Sequence, residues 1–215
     1  MSKKSKKAKR SKPMPKVVEQ YSRSSVRPLQ STTPNEIVLK AQEYPIFGCW
    51  VMESWQDMGI TPVVVARRQD NDRILFGVYM VDYYCLGVKS AYTRADYSLN
   101  RFNRELPKLC ADAPAPCSVD LAHELIYGSI EYAQKLGFEP DPDFYTTHAD
   151  KILDPPDAHP RSGSVTFGKD GKPFYIPGPH DSPVKSNFVM TTLTRTCGPG
   201  NFNYLLIGNM PDDIG

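Results

Sequence analysis

The chain has 215 residues, 40% hydrophobic and 11% aromatic, enough apolar material for a packed core of ordinary size. No stretch approaches the ~20 apolar residues of a bilayer-spanning helix, the basic N-terminus has no apolar signal-peptide core, and the five cysteines form no C-x-x-C pair. These features count against a membrane protein, a secreted disulfide scaffold and a zinc ribbon, and they lead us to expect a cytoplasmic protein with reduced thiols. Charge is segregated: Met1 to Lys16 holds eight of the 26 Lys and Arg residues and none of the 24 Asp and Glu, leaving 18 basic against 24 acidic residues, a net of −6, on the rest of a chain whose total is +2.

Residues 1–34 are rich in Lys, Ser, Pro, Gln and Thr and poor in large apolar side chains, so they are expected to form a disordered basic arm. Residues 35–209 read as one α+β domain, an antiparallel or mixed sheet packed by one long amphipathic helix, and 210–215 as a short tail. Tyr44 to Val51 opens the domain, and Thr61–Arg67 and Ile74–Val88 read as two strands around the polar turn Asp70-Asn71-Asp72. A helix is expected from Ser118 to Leu136, with Ser118 as N-cap, Asp120 near the positive end of the dipole and Gly137 just beyond the C-terminus. At 100° per residue, Leu121, Ala122, Leu125, Ile126, Ile130, Ala133 and Leu136 share one side, and Glu124, Tyr127, Glu131 and Lys135 the other. Val165–Phe167 and Phe174–Ile176 flank Asp170-Gly171, the pair a tight hairpin turn prefers. Ser186 to Cys197 suits either strand or helix, Gly198 to Asn201 reads as a tight turn, and Phe202–Ile207 as a last strand.

The phrases Val63–Gln69, Val81–Lys89, Tyr132–Pro140 and Phe167–Phe174 together resemble a family of uncharacterised bacterial proteins, over roughly Tyr44 to Ile207. The resemblance implies a bacterial, cytosolic origin and one folded domain, and it transfers no catalytic residue.

Asp82 is the residue most out of keeping with its surroundings. Alternation puts it on one strand face with Ile74, Phe76, Val78, Met80 and Tyr84, and with Gln69 opposite Ile74 it falls opposite Thr61. A carboxylate on a rigid strand suits Mg²⁺ or Mn²⁺, and it equally suits hydrogen bonds to the following turn or to Lys89. Glu124 and the His180-Asp181 pair are candidate catalytic helpers, with Asp181 a second candidate metal ligand. Cys85 reads as a core thiol, and Asp141, Asp143, His148 and Asp150 as an acidic loop.

Three functional readings emerge. The first is a nucleic-acid-associated protein, RNA or DNA undecided, whose arm captures polyanions through Lys3, Lys4, Lys6, Lys7, Lys9, Arg10, Lys12 and Lys16, with Tyr83, Tyr84, Tyr92 and Tyr97 beside Lys89, Arg94, Arg101 and Arg104 extending the surface. The second is a divalent-metal phosphodiesterase or nuclease centred on Asp82, using Mg or Mn. The third is a protein-interaction component of a mobile-element, toxin or defence system.

Overall fold

The structure, a computed structural model, describes residues 33–111, 113–178 and 181–205. The arm residues Lys3 to Lys16, His180 and the tail 210–215 lie outside them. Among the described residues no helix is long and apolar enough to cross a membrane.

A capping box opens the described residues: Thr33 accepts from the backbone of Glu36, and the Glu36 carboxylate returns to Thr33, ahead of α1 (Pro34–Leu39). Five strands then build an antiparallel sheet: β1 (Ile46–Met52), β2 (Ile60–Arg68) after the short α2 (Trp55–Met58), β3 (Arg73–Asp82), β4 (Gly87–Ser98) and, after α3 (Leu99–Leu109), β5 (Pro114–Cys117). Their order is β4-β3-β2-β1-β5. Central strand β2 reads Val-Val-Val-Ala without alternation because both of its faces are covered: Val63 and Val65 join the core under the long helical run, while Val64 and Ala66 join the core under α3.

The β2–β3 hairpin forms as expected, with its register moved by one residue: Arg68 faces Ile74, and Asp82 faces Ile60 instead of Thr61. The expected second strand, Ile74 to Val88, is in fact two strands. It ends at Asp82, turns through Tyr83 to Leu86, and returns as β4, because Asp82 Oδ1 accepts from the Tyr84 and Cys85 N–H groups at 3.1 and 2.9 Å and Gly87 takes φ +69°.

Ser118 caps the next helix as expected, accepting from Leu121 N–H at 3.1 Å, and Gly137 closes it at φ +94°. The single α-helix is instead three consecutive segments, α4 (Val119–His123), a π-turn (Glu124–Gly128) and α5 (Ser129–Lys135). All five π-turn residues are buried, between the sheet and the loop 154–165. Glu124, assigned by strict 100° periodicity to a solvated stripe, is therefore 2% exposed.

After α6 (Asp143–Thr146), the hairpin expected around Asp170-Gly171 does not form. Both turn residues have positive φ, 52° and 76°, and Lys169 bridges Lys172, but the flanking backbone is used elsewhere: Gly168 N–H donates to Tyr83 C=O and Phe174 N–H to Tyr84 C=O. Phe174–Tyr175 (β6) pairs in parallel with Asn203–Tyr204 (β7), which falls within the expected last strand. Between them α7 (Pro183–Cys197), capped by Ser182, resolves the ambiguous segment as helix and packs Val189 and Leu193 on Leu86, Ala133 and Leu136.

Candidate nucleic-acid interface

A basic, aromatic surface is built where β4 passes into α3. Phe102 and Leu106, four residues apart, seat α3 on Phe76 and Tyr97, which leaves Arg101, Arg104 and Lys108 along its solvent side. Arg94 is brought to the same sheet face by a bulge in β4: Phe76 faces Arg94 and Ile74 faces Tyr97, so two residues of β3 span three intervals of β4. Without that extra residue Arg94 and Tyr97, an odd number apart, would point to opposite faces. The bulge carries Asp96 at φ +61°, anchored by Arg73, whose Nε donates to Oδ1 at 2.8 Å.

The cations and rings of this surface are paired. The Arg101 guanidinium lies 3.7 Å from the Tyr97 ring centroid and donates to its hydroxyl at 2.8 Å, and Arg94 lies 4.8 Å from the Tyr92 ring. Arg101 also meets Glu105 at 3.0 Å, whereas among the described residues no carboxylate comes within ion-pairing distance of Arg94, Arg104 or Lys108. On residues 17–215, which carry an acidic balance, Arg94, Arg104 and Lys108 are a concentration of positive charge without a carboxylate partner among the described residues.

Sequence reading located Tyr92, Tyr97, Arg94, Arg101 and Arg104 near one another but missed α3 and Lys108. The signal was present in the Ser98 N-cap followed by apolar Leu99, Phe102, Leu106 and Leu109 at helical spacing, and Pro107 disguised it. Tyr83 is buried, its hydroxyl donating to Trp55 C=O, and lies in the opposite core, so it does not belong to this surface.

The candidate acid residues fall in separate places. Asp82 is 3% exposed and holds the β3–β4 turn through Oδ1, while Oδ2 is buried without a partner among the described residues; burial pushes its carboxyl up to about 6, against the pull of Lys89 and of the turn N–H groups. Asp181 organises the start of α7, accepting from Gly178 N–H at 2.8 Å and Tyr175 OH at 3.1 Å and pairing with Lys185 at 2.8 Å and Lys89 at 3.8 Å. Burial resists its ionisation, but Lys185, the Gly178 N–H and Lys89 together hold it below the usual carboxylate range.

Glu124 ties down the loop after Asp154. It accepts from Ser162 N–H and Ser164 Oγ at 3.2 Å each, from Ser162 Oγ, and from Val165 N–H at 3.5 Å. Burial opposes its charge, and these hydrogen bonds outweigh burial, so its carboxyl is held low. Two histidines unmentioned as a pair in the sequence complete the fastening, their ring centroids 5.0 Å apart. His123 Nε2 donates to Pro155 C=O at 2.9 Å and Nδ1 accepts from Arg161 at 3.1 Å, and burial with that guanidinium keeps it neutral. His159 sits between Asp154 at 3.1 Å and Asp120 at 2.7 Å, which raise its proton affinity. Asp154 in turn receives Arg67, a guanidinium buried in β2, at 2.7 Å.

Among the described residues no three His, Cys, Asp or Glu side chains come together to hold a metal ion. Cys85 is a buried free thiol, raised by burial and by Asp82. No family model, no curated protein and no solved structure matches the chain.

Proposed function

We propose that this chain is a cytoplasmic bacterial nucleic-acid-associated protein in which the basic residues of Met1–Lys16 capture the polyanion and the α3–β4 surface of the α+β domain engages it. The single observation that carries the reading is the cluster Arg94, Arg104 and Lys108 beside Tyr92, free of carboxylate partners among the described residues, although residues 17–215 are acidic in balance. Phosphates reward cations with released counterions, and planar guanidiniums stacked on tyrosine offer a platform for unpaired bases. The test compares intact protein, protein lacking Met1–Lys16, and Arg104→Glu/Lys108→Glu, for binding to labelled single-stranded RNA, single-stranded DNA and duplex across a salt series. Full engagement of the arm gives a log–log salt slope of roughly −6 to −7, and removing it or reversing the α3 charges weakens binding. Binding insensitive to both changes sinks the proposal. Mg²⁺ or Mn²⁺ in half of the samples, with a check for strand cleavage, tests the phosphodiesterase alternative centred on Asp82.

A second reading, a protein-interaction component, is favoured by Val184 and Phe188, 80% and 61% exposed and one turn apart on α7. Its test is loss of a co-purifying partner on Phe188→Asp with strand binding unchanged.

A further inference from the structure

A cleft of about 400 Å³ lies at the end of the sheet away from the α3 N-terminus, between the β1–β2 connection, the β3–β4 turn and the segment Ser164–Asp170. Its aromatic floor is fixed by backbone contacts. Gly59, at φ +72°, donates to the Tyr83 hydroxyl at 2.8 Å, and a Cβ there would lie 2.0 Å from the Tyr84 ring, so glycine is what lets that ring rest on the main chain. Tyr83 stands edge-on to Trp55 at 5.8 Å and to Tyr84 at 4.8 Å, so one buried phenol orients both half-buried rings. The opposite wall is held from beneath: Glu124 fastens Ser162, Ser164 and Val165, Phe167 lies over Gly128 and stacks on Tyr132 at 5.8 Å, and Gly168 bonds Tyr83 C=O. The π-turn thus points its first carboxylate and its glycine at this wall.

The rim presents the amide of Gln56, the hydroxyl of Thr166, the ammonium of Lys169 and the carboxylate of Asp170, all exposed. One positive and one negative charge cancel, so the rim is not built for a phosphate. Aromatic rings from two separate segments favour a flat face; an amide matches the adjacent donor and acceptor of a base edge; and a carboxylate matches vicinal ribose hydroxyls.

We infer that this cleft binds a nucleoside, its base against Trp55 and Tyr84, its edge toward Gln56 and its ribose toward Asp170. The inference goes beyond the interface reading and needs neither the arm nor α3, since a free nucleoside carries no phosphate for either to hold.

The test titrates full-length protein with adenosine, guanosine, cytidine and uridine by calorimetry, with 2′-deoxyadenosine and maltose as comparison ligands. Saturable binding of at least one nucleoside, weakened tenfold or more by Trp55→Ala, is expected. Gln56→Ala, at an exposed position that the fold does not use, is expected to change the ranking among bases, and Asp170→Asn to remove any advantage of adenosine over deoxyadenosine. Absence of nucleoside binding at millimolar concentration, maltose binding in its place, or a Gln56→Ala ranking identical to wild type each overturns the inference. Salt-sensitive strand binding with no nucleoside binding overturns it while leaving the interface reading standing.

Discussion

Asp82→Asn separates a carboxylate kept for chemistry from one kept for its shape. In the folded chain Asp82 is buried, Oδ2 has no hydrogen-bond partner among the described residues, and burial raises its pKa to about 6 against 3.8 for the free side chain. A folded-state pKa above the unfolded one means that folding favours the protonated form: the contribution to stability is fully present below pH 3.8 and is lost as pH rises through about 6. Two pH units correspond to about 3 kcal/mol, so at pH 8 the ionised carboxylate is a liability of up to that size. Asparagine keeps an oxygen to accept from the Tyr84 and Cys85 N–H groups and carries no charge. The variant is therefore expected to be more stable than wild type at pH 8, by up to about 3 kcal/mol or roughly 6–12 °C in Tm, with the difference shrinking toward zero near pH 4. Urea unfolding of both proteins at several pH values between 4 and 8 gives the answer. A variant destabilised at pH 8 would refute the reasoning, because it would mean that the ionised group has a stabilising partner, Lys89 or a bound cation, stronger than its burial.

Glu124→Gln carries the opposite sign: its folded pKa is lowered, so its contribution is present above pH 4.5 and lost as pH falls, and the variant should lose about 1–3 kcal/mol at pH 7, much of it from the Val165 N–H left buried, with protease cleavage after Arg161 accelerated. His159 has its pKa raised, so its grip on Asp120 and Asp154 is complete below pH 6.5 and released as pH climbs through the raised value, while neighbouring His123, whose pKa is lowered, gives way only on the acid side. Hydrogen exchange at Ser162 and Val165, corrected for intrinsic rates, should therefore quicken several-fold between pH 6 and 9 in wild type and show no such step in His159→Gln; identical profiles would remove His159 from the fastening. Gly59→Ala should cost at least the 1–2 kcal/mol of a left-handed residue before the Tyr84 clash is added, visible as a fall in Tm with altered near-ultraviolet dichroism from the displaced tyrosine.

What the sequence made legible were local instructions backed by a single residue's chemistry. Ser118 and Gly137 bound a helical run because an N-cap oxygen and a left-handed C′ residue act on their own neighbours, and Asp170-Gly171 took positive φ whether or not strands flanked it. The π-turn was not legible because one residue of extra winding leaves no compositional mark; only the tertiary demand that Glu124 meet Ser162 and Gly128 meet Phe167 reveals it. The hairpin at 165–176 failed because its amides were claimed by Tyr83 and Tyr84, some ninety residues away in sequence, a competition local pattern cannot weigh. Asp82 stands out in the sequence as a carboxylate on an apolar strand face, and its bonds to the following turn are local, but its separation from Glu124 depends on the path of the loop that Glu124 holds.

The two borders of the sheet limit how this protein can associate. On β5, Pro114 and Pro116 occupy alternate positions, so the backbone there has no amide hydrogens to offer an incoming strand. On β4 two carbonyls near the start of the strand are already occupied, Val88 by the Asp141 N–H at 2.9 Å and Ala91 by the Thr147 hydroxyl at 3.4 Å, which sets α6 as a stopper along that part of the edge. Strand addition is thereby disfavoured along β5 and along the first part of β4, and a partner meeting the sheet at those borders is gripped by side chains.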